Sequence, residues 1–477
     1  MPALHRTPST ATPSFPRRAL LHAALAVGVL LAAGCAAPGL SGAAPAQPRP
    51  PIVFVHGNGD SAALWSTTMW RFESNGWPRD RLYAIDHPYP MARDADDRAQ
   101  PGRTSTTEHM RFLAQEVDRV LQATGARQVV LMGNSRGGHA IRHYIAQGGG
   151  AAKVSHAILG GTPNHGIFVS AERATTSEFN GASSFLAALN NQGAPGVEVT
   201  PGPRWMTVRS DANDKYAQPE GTWIGQRGVP TGVTAASPEL RGAENVVLPG
   251  IDHRETSYGP QAFAAAYRFI TGQPPATSVI TPEPRVVLDG LVSGFGLDND
   301  PTRGSFPTNL PLTGARVEVH ATDPATGERR GAPLLARTVG ADGRWGPLTV
   351  DPQTTLEFVV SAPGYATAHV YRSAFPRSSA VVHLRAERLA EADRQAGSVV
   401  TLVRPRGYFG IPRDAVELDG QTPPPGIPPG VAGVASSKIR LASGPMRPVV
   451  GQFNGERVVG RTWPVAEGRL VFLEVHQ

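Results

Sequence analysis

The sequence predicts a doubly wound α/β domain followed by all-β sandwich modules. Up to about residue 275, short apolar runs alternate with helical patterns, the signature of a parallel sheet with crossover helices. Beyond residue 285, short alternating segments are separated by Gly-, Pro- and Asp-rich turns, with no helical stretch longer than the one near "ERLAEADRQAG". Between the two lies "TGQPPATSVITPEPR", a Pro- and Thr-rich linker.

Taken in order, "PIVFVHGNG" is a continuous apolar run of the kind found in a strand buried on both faces. "DRLYAIDHPYP" gives a second strand and "TTEHMRFLAQEVDRVLQATG" a helix. Its Met110, Leu113, Val117, Val120 and Leu121 recur at helical spacing and Gly125 is the stop. "RQVVLMG" is a third strand and "HAIRHYIAQ" a second helix; "VSHAILGGTP", "RWMTVRSD" and "AENVVLPG" are three further strands. In the C-terminal part "RVVLDGLVSG", "ARVEVHAT", "LEFVVSAPG", "AVVHLRA" and "RLVFLEVHQ" read as strands.

The chain divides on this basis into a leader (1–35), a tether (36–50), the α/β domain (51–275), the linker (276–284), a β-sandwich module (285–388) and a second β-rich module (389–477). At 477 residues it is too long for one compact core, and its 40% hydrophobic and 18% charged composition suits a folded protein. The net charge is +6, yet no basic run or aromatic-interleaved basic segment stands out, so nucleic-acid binding is not expected. Nor does any feature call for an obligate protein partner. The leader pairs Arg17-Arg18 with a short apolar run, which resembles a twin-arginine export signal. Cys35, the only cysteine, follows Leu31-Ala32-Ala33-Gly34 as in a lipoprotein signal, which predicts lipidation and membrane anchoring there; Ala44-Pro45-Ala46 offers an alternative cleavage site. The expected address is periplasmic or outer-membrane lipoprotein, or extracellular. One cysteine also allows no intramolecular disulfide and no cysteine-based zinc site.

Gly133-Asn134-Ser135-Arg136-Gly137 stands where the third strand must become a helix. A serine hydroxyl needs a neighbouring base and an exposed position to act as a nucleophile. Flanking glycines permit the sharp strand-to-helix turn that exposes it, because side chains there would collide with the strand and helix. The oxyanion formed on attack needs N–H donors; Arg136 supplies one at the helix start and Asn58, after "FVHG", supplies the other. An acid is expected after the "WMTV" strand, where Asp211 and Asp214 compete, and a base after "NVVL", where His253 stands. His56 reads as a loop-shaping residue, and His139 and His143 as packing rather than metal ligands, since no third donor has matching spacing. No metal or cofactor is required by this scheme.

With these motifs in place the first domain resembles the α/β-hydrolase superfamily, most of all microbial lipases and esterases with a "VHG" oxyanion loop. "NDKYAQP" resembles the acid-bearing stretch of several such lipases, which favours Asp214. "GGTPNHG" and "SSFLAALN" resemble a segment over the site and the start of a cap, which implies that His165 and Phe179 line the substrate pocket. Arg136 stands where many such lipases have Met or Gln, which argues against a purely apolar acyl entrance. The C-terminal part resembles transthyretin-like and carboxypeptidase-regulatory modules. The resemblance implies a secreted hydrolase of carboxylic esters acting on a lipid or ester substrate through Ser135, His253 and Asp214. Amide or polyester cleavage by the same machinery, or a non-catalytic polymer-binding scaffold, are the alternatives. Because the β modules follow the last catalytic element, the sequence predicts that they extend the acyl-binding surface and are dispensable for short soluble esters.

Overall fold

The computed structural model describes residues 49–477, so Arg17, Arg18, Cys35 and Ala46 lie outside the described residues. Six strands form a parallel sheet: β1 (Ile52–Val55), β2 (Leu82–Ile85), β3 (Val129–Asn134), β4 (Val154–Gly160), β5 (Arg204–Ser210) and β6 (Glu244–Leu248). Their spatial order is β6-β5-β4-β3-β1-β2, with β1 pairing β2 on one side and β3 on the other. The direction of winding therefore reverses beside β1, and the carboxyl ends of β1 and β3 flank the crevice where open α/β sheets place ligands.

The helices are α1 (Ser66–Ser74), α2 (Thr106–Thr124), α3 (Arg136–Gln147), α4 (Ser184–Leu189), α5 (Glu255–Tyr258) and α6 (Pro260–Thr271). Strand alternation explains why both sheet faces are covered. Ile52 and Phe54 pack with Phe72 of α1 and Phe263 of α6, whereas Val53 and Val55 pack with Leu113 and Val117 of α2 and Ile141 of α3. Helix α2 begins with a capping box between Ser105 and Glu108 and stops at Gly125 in the left-handed conformation, as its sequence predicts. Helices α1 and α6 are not among the sequence-predicted elements, although Pro260 at the start and Gly272 at the end of α6 are recognisable punctuation. Among the described residues no helix is long and apolar enough to cross a membrane.

The C-terminal region is built on a seven-stranded sheet. Its strands are β7 (Arg316–Thr322), β8 (Leu335–Thr338), β9 (Thr355–Ser361), β10 (Thr367–Arg372), β11 (Ser398–Val403), β13 (Ser436–Leu441) and β16 (Arg469–Glu474). The strands β12 (Val416–Leu418), β14 (Pro448–Phe453) and β15 (Glu456–Arg461) form a separate three-stranded sheet. The large sheet runs β8-β7-β9-β10-β16-β11-β13, and β16 pairs parallel with both β10 and β11. Two small layers cover it: Val286–Leu288 paired with Leu348–Val350 packs on Val317, Val319 and Phe358, and the three-stranded sheet packs on Val400, Leu402, Val471 and Leu473.

The large sheet spans the division expected at residue 388. Strands from 285–388 and from 389–477 lie in one sheet, joined by ladder hydrogen bonds rather than by a linker. The segment 276–284 is likewise pinned: Asn75 donates to Thr277 O, Arg71 to Ser278 O, and Arg79 and Arg377 pair with Glu283. Trp70 of α1 is buried in the core of the β region and donates its indole N–H to Ser378 O at 2.9 Å. The segment near "ERLAEADRQAG" forms only a single 3-10 turn, Glu391–Asp393, and "AVVHLRA" contributes only the two-residue strand Leu384–Arg385.

Candidate active site

Ser135 sits between β3 and α3 with φ 52° and ψ −121°, a left-handed conformation that a non-glycine residue adopts only when its surroundings impose it. The surroundings do. A Cβ on Gly137 would lie 2.4 Å from Val55 O and 2.7 Å from His56 O, and one on Gly133 would lie 2.8 Å from Gly138 N. Only glycine at both positions lets α3 leave β3 this tightly against the end of β1. Ser135 N donates to Gly160 O at 2.8 Å, which fixes the turn to β4. Neither the Asn58 nor the Arg136 N–H makes a turn, loop or cap hydrogen bond among the described residues. The first N–H groups of a helix have no partner within it.

Asp214, after β5, and His253, after β6, are both buried and face each other. His253 Nδ1 lies 2.8 and 2.9 Å from the two Asp214 carboxylate oxygens, and Tyr216 N donates to Asp214 at 2.8 Å. That geometry places the imidazole proton on Nδ1 and leaves Nε2 as a base. His253 Nε2 is buried without a hydrogen-bond partner among the described residues, and His253 and Ser135 line the same cavity. The loop is held from three sides. Thr256 Oγ1 donates to His253 O at 2.6 Å, Asn134 Nδ2 reaches the same carbonyl at 3.4 Å, and Gly161, at φ 56°, leaves the 2.8 Å approach that a Cβ would close. Asp211 is exposed. Its carboxylate accepts from Gly250 N at 2.9 Å and Ala212 N at 2.6 Å, so it ties the β5 and β6 loops rather than touching His253. Those N–H donors hold its carboxyl below the usual range.

Arg136 contributes a backbone N–H but not a charged entrance. Its side chain is fully buried, donating to Glu178 at 2.7 Å and to Thr104 Oγ1 and O at 3.0 and 2.8 Å. Burial opposes the charge on Glu178, but Arg136 and His139 together outweigh it and hold the carboxyl below its ordinary value. The charged lining comes instead from Asp60 and Arg254, paired at 3.1 Å. His165 does not line the cavity: Ser237 O and Glu198 take its two ring nitrogens at 2.7 and 3.0 Å. Phe179 does line it, beside Ile167, Tyr216 and Tyr408. In α4, Leu186 and Leu189 are buried, and the ring of Phe185 lies 5.4 Å from that of His143. His56 accepts from His87 N at 3.1 Å and donates from Nδ1 to Gly57 O at 2.9 Å, which shapes the loop; burial holds its pKa below the usual imidazole value. His139 contacts Pro163 O and Glu178, and among the described residues no group of three metal-type donors forms.

Sequence reasoning missed the neighbours of His253. Asp252 is wholly buried and accepts from Arg404 Nη1 at 2.6 Å and Tyr408 N at 2.9 Å. Burial works against its charge, but Arg404, Arg413 and the N–H groups of Tyr408 and Glu255 together outweigh it and hold the carboxyl below the ordinary aspartate range. Glu255 pairs with the same two arginines at 2.6 and 2.7 Å; burial, with Asp252 beside it, holds its carboxyl above the usual value. Lys215, next to Asp214, donates to Gly433 O at 2.9 Å, and burial, aided by Arg254, pulls it down to about 8. Asp252 and Glu255 flank His253 in the sequence, but their partners stand far along the chain.

Comparison with known proteins gives two family matches. Residues 49–200 match the lipase (class 2) family and residues 284–389 match the lipase C-terminal domain. A non-heme haloperoxidase of Rhodococcus erythropolis is 30% identical over 112 residues, 23% of this chain and 35% of that protein; the chain spans about a third of that curated relative's length. Among solved structures, the mature form of Bacillus licheniformis lipase BlEst2 is 20% identical, covers 47% of this chain and 93% of its own, and has a TM-score of 0.34. Its propeptide form is 15% identical over 87% of this chain and 92% of its own, with a TM-score of 0.35. Residues 49–200 are thus similar to the lipase (class 2) family and residues 284–389 to the lipase C-terminal domain.

Proposed function

We propose that the protein is an exported serine hydrolase of carboxylic esters that works through an acyl-enzyme on Ser135. Its substrate is a lipid or other ester. The observation that carries this reading is the pairing of Asp214 with His253 Nδ1, which leaves Nε2 unpartnered on a residue that lines one cavity with Ser135. Nε2 takes the Ser135 proton as Oγ attacks the ester carbonyl, and Asp214 stabilises the imidazolium that results. The N–H groups of Asn58 and Arg136 receive the developing oxyanion. The same imidazolium then protonates the leaving alkoxide, and a water activated by Nε2 releases the acid. Export rests on the Arg17-Arg18 leader and anchoring on Cys35, both read from sequence. The intact mass of the mature protein tests them: a diacylglyceryl Cys35 at its start is expected, and a free start near Gln47 would remove the anchor.

Fluorophosphonate labelling and turnover of a p-nitrophenyl ester test the catalytic reading. Ser135→Ala should abolish labelling, and His253→Ala should remove nearly all turnover, with the double variant no slower than either. Asp214→Asn should cost on the order of 10³-fold or more in kcat. Asp211→Asn, which loosens only the tie between two loops, should cost less than about tenfold. The reverse order would move the acid to Asp211.

A further inference from the structure

We propose that Tyr408, supplied by the C-terminal β region, sets how long an ester chain the Ser135 cavity admits. The proposal rests on the reading of Ser135 as an ester-attacking nucleophile and names the substrate class, esters with a short chain in this cavity. Tyr408 lines the cavity together with Ser135 and His253, although it stands 156 residues beyond Asp252 in the chain. The cavity measures about 80 Å³. At roughly 10–15 Å³ per water-sized group, that has room for about five to eight heavy atoms, a short chain.

Tyr408 is held at its backbone and at its ring. Its N–H donates to Asp252 Oδ2 at 2.9 Å, and its carbonyl accepts from Arg404 Nη1 at 2.5 Å and Arg413 Nη2 at 3.0 Å. Lys215 Nζ lies 3.8 Å from the ring centroid and the Arg254 guanidinium 4.9 Å, so two cations grip the ring. Each of those cations adjoins a residue of the proposed triad, Asp214 and His253. Gly407 permits the close approach: a Cβ there would stand 2.6 Å from the Tyr258 hydroxyl. A wall fastened to the acid and base loops cannot swing aside for a longer chain without disturbing them.

The test compares kcat/KM on p-nitrophenyl esters from acetyl to dodecanoyl, using the full-length protein. Wild type should favour the shortest esters and fall by about tenfold or more toward the longest. Tyr408→Ala should move the optimum to longer chains, raising long-ester over acetyl-ester kcat/KM by about tenfold, chiefly through KM. Tyr408→Phe, which keeps the ring, should keep the wild-type chain-length profile. Because Tyr408→Ala also strips the ring from two cations, Tyr408→Leu is run beside it and reads the same shift if the alanine variant does not fold. Fluorophosphonate labelling of wild type separates the two claims: no labelling would defeat the hydrolase reading itself. Labelling together with an unchanged profile in both Tyr408→Ala and Tyr408→Leu, or in the leucine variant alone where the alanine variant is unfolded, would overturn the role of Tyr408.

Discussion

On one side of the cavity, Gly133 and Gly137 leave room for α3 to lie against the end of β1; on the other, Arg404 and Arg413 grip the carboxylates that flank His253. The first hold is steric and local, made by side chains that are missing within a few residues of Ser135. The second is electrostatic and remote, made by guanidinium groups 152 and 158 residues away from their partners. The turn at Ser135 is thus built within the α/β domain alone, whereas the loop that carries His253 is held in part from the β region.

Removal of the β region should have the largest effect. A chain ending near residue 280 would leave Asp252 and Glu255 without their arginines and Trp70 without its core. It should lose turnover of even the shortest ester, contrary to the expectation drawn from sequence order. A truncated protein with native circular dichroism and wild-type turnover of p-nitrophenyl acetate would show the remote hold to be dispensable.

Arg404→Met sharpens the same point with one side chain. It strands a buried carboxylate, at a cost of about 3–5 kcal/mol in chemical denaturation at pH 7. The sign with pH follows from Asp252, whose carboxyl the arginines hold below its ordinary value of 3.8. Stability from such a group is present above the unfolded value and is lost as pH falls through the folded one. The gap between wild type and variant should therefore narrow below about pH 4. A gap independent of pH would mean that Arg404 acts by packing alone.

Gly137→Ala probes the steric hold and should have the smallest effect on stability, about 2–3 kcal/mol, because α3 can shift slightly to relieve the clash. Its mark is instead on Ser135: labelling by a fluorophosphonate should slow much more than the loss of stability explains. Unchanged labelling would show that the turn tolerates a side chain.

The steric hold was legible in the sequence because its determinants are adjacent: glycine, serine and glycine between an apolar run and a helix. Asp214 and His253 were placed by the same logic, each just past a strand end. His165 was read as lining the pocket from its loop over the site, and the Arg136 side chain as a polar entrance from the resemblance to lipases. The structure turns both away, since Glu198, Ser237 and Glu178 offer partners that local spacing does not reveal. The brace on Asp252 was illegible for a related reason. Nothing around Arg404 distinguishes it from other arginines until the chain is folded. That one sheet crosses residue 388 was illegible because a parallel pairing of distant strands leaves no turn signal between them.

The placement of β16 has a kinetic meaning. It is the last strand in chain order, yet it lies inside the seven-stranded sheet, between β10 and β11. Until it pairs, β8-β7-β9-β10 and β11-β13 are two fragments with open edges. Parallel pairings at such sequence separation form slowly, because the loop must close before the ladder rewards it. The segment that carries Arg404 and Tyr408 follows directly after β11, so it gains a fixed position only when that late step is complete. In a refolding experiment, the α/β sheet would acquire its secondary structure well before the cavity acquires its far wall.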